Sequence, residues 1–209
     1  MRKITRTRLD AFLAKHATDM RTLDIGAGGS SYQRFFPNRV TVDIDPARKP
    51  DIVADAHALP FKDSELKVVL CTEMLEHAQN PSAVIAEIRR ILAPGGMLIL
   101  TTRFVYPLHD MPHDYWRFTR SALEMLFSDF SQVQIEAEAA EMTTTGILFE
   151  RIILQSCVRG GKVTKALLLI MSRICTHLDW LVLARYSDIK HTGEIPELMT
   201  SGYYVIAKK

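Results

Sequence analysis

Leu23-Asp24-Ile25-Gly26-Ala27-Gly28-Gly29-Ser30 is the stretch that decides the fold of this 209-residue chain. An apolar run ends at Ile25, and three of the next four residues are glycines. This pattern predicts a buried strand and a sharp turn, where the missing side chains let backbone N–H groups approach a ligand. A second apolar stretch, 40–44, delivers Asp43 seventeen residues after Gly26. In a βαβ nucleotide site, a carboxylate at about this spacing binds the two ribose hydroxyls.

The glycine pattern favours an adenosyl ligand over a dinucleotide. A G-x-G-x-x-G fingerprint that starts at Gly26 would put its third glycine at position 31, where this chain has Ser31. Asp24 also favours an adenosyl ligand over a dinucleotide, because a carboxylate before the turn repels a pyrophosphate but attracts a ligand with an ammonium and a sulfonium. We therefore expect S-adenosyl-L-methionine as the ligand.

Three further motifs follow in order: Ala54-Asp55-Ala56-His57-Ala58-Leu59-Pro60-Phe61, Thr72-Glu73-Met74-Leu75-Glu76-His77 and Leu92-Ala93-Pro94-Gly95-Gly96. Together with the glycine turn and Asp43, they resemble the class I S-adenosylmethionine-dependent methyltransferases of the ubiquinone and menaquinone methylation type. The resemblance covers roughly residues 20–130 and the last strand, and it departs from the family at Lys67, where an Asp is usual. It implies S-adenosyl-L-homocysteine as product. The expected cofactor-binding residues are Asp24, Gly26, Ala27, Gly28, Asp43, Ile44, Asp55, Ala56, Thr72 and Glu73.

The composition is typical of one globular domain, and we predict that this domain comprises residues 1–209. The hydrophobic content of 47% allows one sizeable core, and the formal charge of +2 gives no reason to expect nucleic acid as a partner. The basic start of the chain is not followed by an apolar signal region. The three cysteines have no metal-ligand spacing. We therefore expect a cytoplasmic protein with free thiols.

Strand and helix signals alternate along the chain, which predicts an α/β fold: a Rossmann-like, seven-stranded, mostly parallel sheet with helices on both faces. We predict strands near 21–26, 39–44, 51–54, 67–72, 97–102, 131–138 and 202–208. The clearest helix is 81–92, with Asn80 as its cap and Pro81 in its first turn, and Pro94-Gly95-Gly96 ends it.

The tract 103–119 follows the fifth predicted strand and carries many titratable and aromatic groups. One interpretation is an acceptor-site lid in which His113, or else His109, takes the acceptor's proton with help from Asp114. Residues expected to shape the acceptor pocket are Tyr106, Tyr115, Trp116 and Arg117. The other interpretation is a helix start capped by Thr119, with aromatic packing. The spacing of His109 and His113 raises the question of a metal site, but Pro112 disfavours a regular helix there, so we expect no metal.

Residues 140–201 form a helical insertion before the last strand. We predict helices over 147–158 and 163–185, the second with a broad apolar face. Arg173 and Asp179 interrupt it before the roughly 20 apolar residues that a bilayer requires. A cap over the acceptor pocket, a homodimer interface and peripheral contact with the inner face of a membrane all remain open.

These features predict methyl transfer to a small-molecule acceptor or to one linked to a lipid or sugar. Oxygen is favoured over nitrogen, because the Asn/Asp-Pro-Pro-aromatic segment of amino-methylating enzymes is missing. The alternative is a catalytically silent S-adenosylmethionine-binding or interaction module. An NAD-dependent oxidoreductase is disfavoured by Ser31 and by the missing Tyr-x-x-x-Lys pair.

Overall fold

The computed structural model describes residues 2–29 and 32–209. The described residues form a seven-stranded sheet in the order β3-β2-β1-β4-β5-β7-β6. Its strands are β1 (Thr22–Ile25), β2 (Arg39–Asp43), β3 (Ile52–Val53), β4 (Leu66–Thr72), β5 (Leu92–Arg103), β6 (Gln132–Ala137) and β7 (Gly202–Lys208). Strands β1 to β5 are parallel, whereas β7 is antiparallel to both neighbours. The predicted mostly parallel α/β sheet is confirmed.

Helices cover both faces of the sheet. They are α1 (Ile4–Lys15), α2 (Pro81–Ile91), α3 (Arg120–Leu126), α4 (Glu141–Gln155) and α5 (Gly161–Cys175). Helix α1 buries Leu9 and Phe12 against Tyr204 and its neighbours on one face. Helices α2 and α3 bury Ile88 and Leu123 in the larger cluster on the other face. The sheet is thus held between two apolar layers, as parallel strands require.

The start of α2 follows the prediction, and its end differs by one residue. The Asn80 side chain accepts a hydrogen bond from the Ala83 backbone N–H at 3.1 Å, and Pro81 is the first helical residue. Leu92 already belongs to β5, where it pairs with Leu66 before the register shifts. The Pro94-Gly95-Gly96 turn therefore lies inside β5 rather than between helix and strand. At Gly96 a Cβ would stand 2.8 Å from the Ala93 carbonyl oxygen, so the shift requires glycine.

The insertion is a helical hairpin, but its helices begin and end earlier than predicted. Helix α4 starts at Glu141, where Asp179 accepts hydrogen bonds from the Thr143 backbone N–H at 2.9 Å and hydroxyl at 2.5 Å. Helix α5 ends at Cys175, ten residues before the predicted end, and Asp179–Leu181 form a separate 3₁₀ turn. Asp179 stabilises the first turn of α4 instead of extending α5. In the described part of the chain, no helix is both long and apolar enough to span a bilayer.

Candidate active site

A cavity of about 810 Å³ lies at the carboxyl ends of β1, β2 and β4. The strand order reverses between β1 and β4, and in open α/β sheets ligands bind at that point. The cavity is lined by nine of the ten residues expected to bind the cofactor, namely Gly26, Ala27, Gly28, Asp43, Ile44, Asp55, Ala56, Thr72 and Glu73. Residues from the tract 103–119 line it as well, so the donor and acceptor predictions meet in one place.

The glycine turn forms the floor of this cavity. Gly26 has a φ of +67°, and a Cβ on it would stand 2.2 Å from the Met74 Cγ. Gly28 also has a positive φ, of +51°. Both positions therefore require glycine, as the sequence predicted. Ser31, on which the comparison with dinucleotide sites depended, lies outside the described residues, as does Ser30.

The Asp43 carboxylate is held in place at the end of β2. One of its oxygens accepts a hydrogen bond from the Gly28 backbone N–H at 2.9 Å, and the other accepts from the Asp45 backbone N–H at 3.0 Å. A carboxylate oxygen has two lone pairs, so each still has room for one more donor. Asp43 can thus accept two ligand hydroxyls without rearranging.

Asp24 does not line the cavity. Its side chain is buried, and one carboxylate oxygen lies 2.6 Å from an Arg39 guanidinium nitrogen. Burial raises the pKa of Asp24 to about 7, while the Arg39 guanidinium opposes that rise. The carboxylate expected to face the ligand's ammonium therefore belongs to a buried ion pair beneath the turn.

Asp55 is held by its own turn. One Asp55 oxygen accepts a hydrogen bond from the His57 backbone N–H at 2.9 Å and lies 2.6 Å from the ring Nδ1. The backbone hydrogen bond from His57 is the main cause that lowers the Asp55 pKa. Asp55, Ala56 and His57 all line the cavity, on the side expected to face the adenine.

Thr72 and Glu73, at the end of β4, line the cavity. Both make contacts that were not predicted from the sequence. The Thr72 hydroxyl lies 3.2 Å from the Tyr32 hydroxyl, which also accepts a hydrogen bond from Arg6 at 2.9 Å. The Glu73 carboxylate forms an ion pair with Arg103, whose buried guanidinium also bonds Glu138 at 2.6 Å. The sequence carries no local signal for this network, because its members come from distant segments.

Three residues of the tract 103–119 line the cavity: His113 and Tyr115, which were expected there, and Asp110, which was not. The His113 Nδ1 lies 2.9 Å from the Tyr115 hydroxyl. Thr119 also caps α3 by accepting a hydrogen bond from the Ala122 backbone N–H at 3.2 Å. Residues 110–115 of the tract therefore border the cavity, and its last part starts a helix.

The other expected acceptor-side residues support the loop rather than line the cavity. The Asp114 side chain is buried, accepts two hydrogen bonds of 2.7 Å from Arg117, and accepts a third from the His109 backbone N–H at 2.9 Å. The hydrogen bonds from Arg117 are the main cause that lowers the Asp114 pKa to about 2. Its partners are thus Arg117 and His109, and the partner of the His113 ring is Tyr115.

Tyr106 and Trp116 are likewise absent from the cavity lining. The Tyr106 ring contacts the guanidinium groups of Arg103 and Arg151, whose Cζ atoms are 4.4 Å and 5.0 Å from the ring centre. The Trp116 indole N–H donates to the Ala78 carbonyl at 2.9 Å. Of the four residues expected to shape the acceptor pocket, Tyr115 alone borders this cavity.

Comparisons with known proteins agree with this geometry. A family model described as "Methyltransferase domain" matches residues 23–100. An uncharacterized protein of Methanocaldococcus jannaschii, MJ1123, is 35% identical over 42% of this chain and 47% of its own length. A ubiquinone biosynthesis O-methyltransferase of Dechloromonas aromatica is 31% identical over 48% of this chain and 58% of its own length. The chain thus spans about half the length of these curated relatives.

Among solved structures, a SAM-dependent methyltransferase from Archaeoglobus fulgidus superimposes with a TM-score of 0.61. The superposition covers 99% of this chain and 93% of the Archaeoglobus fulgidus chain, at 15% sequence identity. This similarity supports the fold. The domain match covers the glycine turn, Asp43 and the three further motifs, and it includes most of the residues that line the cavity. Residues 23–100 thus match a methyltransferase domain, and the chain has the fold of a solved SAM-dependent methyltransferase.

Proposed function

We propose that this protein transfers a methyl group from S-adenosyl-L-methionine to an oxygen atom of a small-molecule or lipid- or sugar-linked acceptor. The observation that carries the proposal is a single cavity that Asp43 and the glycine turn line on the donor side and His113 lines on the acceptor side. Similarity to a ubiquinone biosynthesis O-methyltransferase and to a malonyl-[acyl-carrier protein] O-methyltransferase supports oxygen as the acceptor atom.

Each part of the donor would meet a different wall of the cavity. Asp43 accepts the two ribose hydroxyls, and the turn 26–29 lies beneath the methionine end. The segment Asp55-Ala56 faces the adenine. The sulfonium already activates the methyl carbon, so the protein's main task is to align donor and acceptor in a dry pocket.

His113 is the residue that we assign as general base for a hydroxyl acceptor. When its Nδ1–H donates to the Tyr115 hydroxyl, the Nε2 lone pair remains free to accept the acceptor's proton. His109 is less suited to this role, since it does not line the cavity and since its burial lowers its pKa.

Calorimetry of donor binding tests the first half of the proposal. Asp43→Ala should weaken the binding of S-adenosyl-L-methionine and of S-adenosyl-L-homocysteine by about 1.5–3 kcal/mol, because hydrogen bonds to a charged group are lost. Glu124→Ala, on the exposed side of α3, is the control and should bind both normally. Unchanged affinity in Asp43→Ala, or tighter binding of NAD by the unmodified protein, would contradict the assignment.

Turnover tests the second half. Release of S-adenosyl-L-homocysteine is measured with phenolic, catecholic and carboxylic acceptors, first with the unmodified protein. His113→Ala should lower turnover by ~10²-fold or more, with donor affinity unchanged. The control His191→Ala removes an exposed imidazole outside the cavity. Full activity in His113→Ala would reject the base role, and no turnover with any acceptor would favour the silent binding module.

We further propose that the insertion contacts an anionic lipid surface, which would present a lipid-linked acceptor. Along α5, Val163, Leu167, Ile170 and Ile174 recur at helical spacing, and their exposed fractions are 70%, 62%, 58% and 52%. Trp180 follows with 71%. Residues 151–178 include five Arg and Lys and no Asp or Glu. An exposed apolar stripe with an excess of basic residues nearby in the sequence is typical of helices that lie on anionic membranes.

The position of α4 supports this proposal, because the helix begins and ends near the acceptor side of the cavity. Strand β6 runs parallel to β1–β5, because both β5 and β6 are antiparallel to β7. Its carboxyl end therefore leads into α4 at the edge of the sheet that holds the cavity. The Gln155 side chain donates to the Leu108 carbonyl at 3.2 Å, which joins the end of α4 to the acceptor-side loop.

Sedimentation with vesicles tests the lipid surface. The protein should bind vesicles with 30% phosphatidylglycerol and not pure phosphatidylcholine, and Leu167→Glu should abolish binding. Met125→Glu, at a residue 79% exposed on α3, is the matched control and should bind normally. Equal binding of both variants would contradict the proposal. A protein that does not bind vesicles, but forms a concentration-dependent dimer that Leu167→Glu dissociates, would also contradict it. That result would assign the apolar face to a second copy of the chain.

A further inference from the structure

A cluster of three possible metal ligands lies beside the proposed active site and has no part in the mechanism above. It consists of Glu76, His77 and His109, each of which offers one ligand atom, and these atoms lie within 4.8 Å of one another. Glu76 and His77 follow β4, whereas His109 comes from the loop after β5. The Glu76 carbonyl joins the two segments by accepting hydrogen bonds from the Tyr115 and Trp116 backbone N–H groups at 3.0 Å and 3.1 Å.

The Glu76 carboxylate is completely buried and only half satisfied. Its Oε2 accepts a hydrogen bond from the Thr102 hydroxyl at 2.8 Å. Its Oε1 has no hydrogen-bond partner among the described residues. The nearby guanidinium groups do not fill the gap, since Arg103 bonds Glu73 and Glu138 and Arg117 bonds Asp114. An unpartnered buried carboxylate oxygen is costly, and a cation is one of the few groups that would stabilise it.

Both imidazoles are oriented as metal-binding histidines usually are. The His77 Nδ1 lies 2.7 Å from the His113 carbonyl oxygen, and the His109 Nδ1 lies 3.2 Å from the Pro107 carbonyl oxygen. A carbonyl oxygen only accepts, so each Nδ1 carries the proton. In the neutral ring, each Nε2 then has a free lone pair. Ligating histidines commonly donate their second ring N–H to such a carbonyl, which fixes the ring and its tautomer.

We propose that Glu76, His77 and His109 bind a divalent transition-metal ion of the Zn²⁺ type. Two imidazole nitrogens and one carboxylate oxygen form a three-ligand set that leaves a fourth position open, as in catalytic zinc sites. Ligands about 2.1 Å from one tetrahedral ion stand roughly 3.4 Å apart, so a modest rotation of the two rings completes the site. His77 also lines the 810 Å³ cavity, so the ion would stand at its edge.

The test measures metal binding itself and does not depend on methyl transfer. The full chain, without an affinity tag and treated with a chelator, is titrated with Zn²⁺ by calorimetry, and Co²⁺ is then added for its visible absorption. We expect one ion per chain and the intense d–d bands of four-coordinate cobalt. His109→Gln and Glu76→Gln should each weaken the affinity at least tenfold.

His113→Gln is the matched control, because it removes an imidazole from the same loop but not from the cluster. It should bind Zn²⁺ as the unmodified protein does. Zn²⁺ should also raise the melting temperature of the unmodified protein and of His113→Gln, but not that of His109→Gln. No binding at micromolar Zn²⁺ would overturn the proposal. So would equal affinity in His109→Gln and His113→Gln, or a loss of affinity in His113→Gln alone.

Discussion

Among single residues, Asp114 shows how a side chain expected to act in catalysis can instead hold a loop together. Its side chain is buried within the tract 103–119, where it accepts hydrogen bonds from Arg117 and from the His109 backbone N–H. Such charge-assisted, two-point bonds are among the stronger hydrogen bonds in proteins. The Asp114–Arg117 pair therefore fixes the loop that carries His109 and His113.

Asp114→Asn should lower the free energy of unfolding by about 1–2 kcal/mol at pH 7, because the bonds to Arg117 lose their charge. The pKa of Asp114 is about 2 in the folded protein, against an ordinary value of 3.8. Since the folded-state pKa is the lower one, the carboxylate stabilises the fold above pH 3.8 and loses this contribution as the pH falls towards 2.

Urea unfolding at several pH values measures this effect. The difference between the unmodified protein and Asp114→Asn should be full above about pH 4 and should shrink towards pH 2. Asp129→Asn, in an exposed turn, should change stability little throughout. A difference that stays constant down to pH 2 would show that the carboxylate charge is not the cause.

Residue roles were predictable from the sequence where they follow from the local backbone. The glycines at 26 and 28 and the position of Asp43 belong to one strand–turn–strand unit, and the structure places them on the cavity as expected. Asp24 belongs to the same unit, yet its side chain pairs with Arg39. That ion pair depends on which β2 side chain lies beside it, and motif spacing does not reveal this.

At the scale of elements, the hairpin of α4 and α5 depends on one close contact. A Cβ on Gly146 would stand 2.5 Å from the Ser172 carbonyl oxygen and 3.1 Å from the Cys175 Cβ. The first neighbour is backbone, which cannot rotate away. Gly146 thus lets the two helices approach.

Gly146→Ala should lower the free energy of unfolding by about 1–3 kcal/mol, the usual cost of overpacking. The substitution also gains up to about 1 kcal/mol of helix propensity, so only a larger steric cost gives a net loss. Gly29→Ala is the control for the substitution itself, since no atom lies within 4 Å of the added Cβ. Thermal and urea unfolding measure both variants, and a more stable Gly146→Ala would contradict the close packing.

Element ends were less predictable than elements. Asn80 and Thr119 were expected as helix caps, and both are. The start of α4 has no capping side chain nearby in the sequence. Asp179, which follows α5, accepts a hydrogen bond from the Thr143 backbone N–H instead. Contacts between segments far apart in the chain also determine which histidines lie together. The spacing of His109 and His113 drew attention to those two, whereas the fold places His109 beside His77, with ring centres 4.9 Å apart.

For the whole molecule, the alternation of strands and helices predicted the sheet, and the ordered motifs predicted its donor edge. The sequence also indicated that the insertion is helical and broadly apolar. Which face of α5 stays exposed could not be predicted, because α4 and the start of the chain cover the other side of that helix. The exposed stripe is thus a property of the assembled fold.

The contact between the insertion and the start of the chain has a consequence for exchange measurements. The Ile4 backbone N–H, at the first residue of α1, donates to the buried Glu150 carboxylate of α4 at 3.0 Å. The first amides of a helix have no partner within the helix, so this amide depends on α4 for its protection from deuterium. Its exchange rate therefore reports how often the insertion separates from the core, and it does so without a label on either helix.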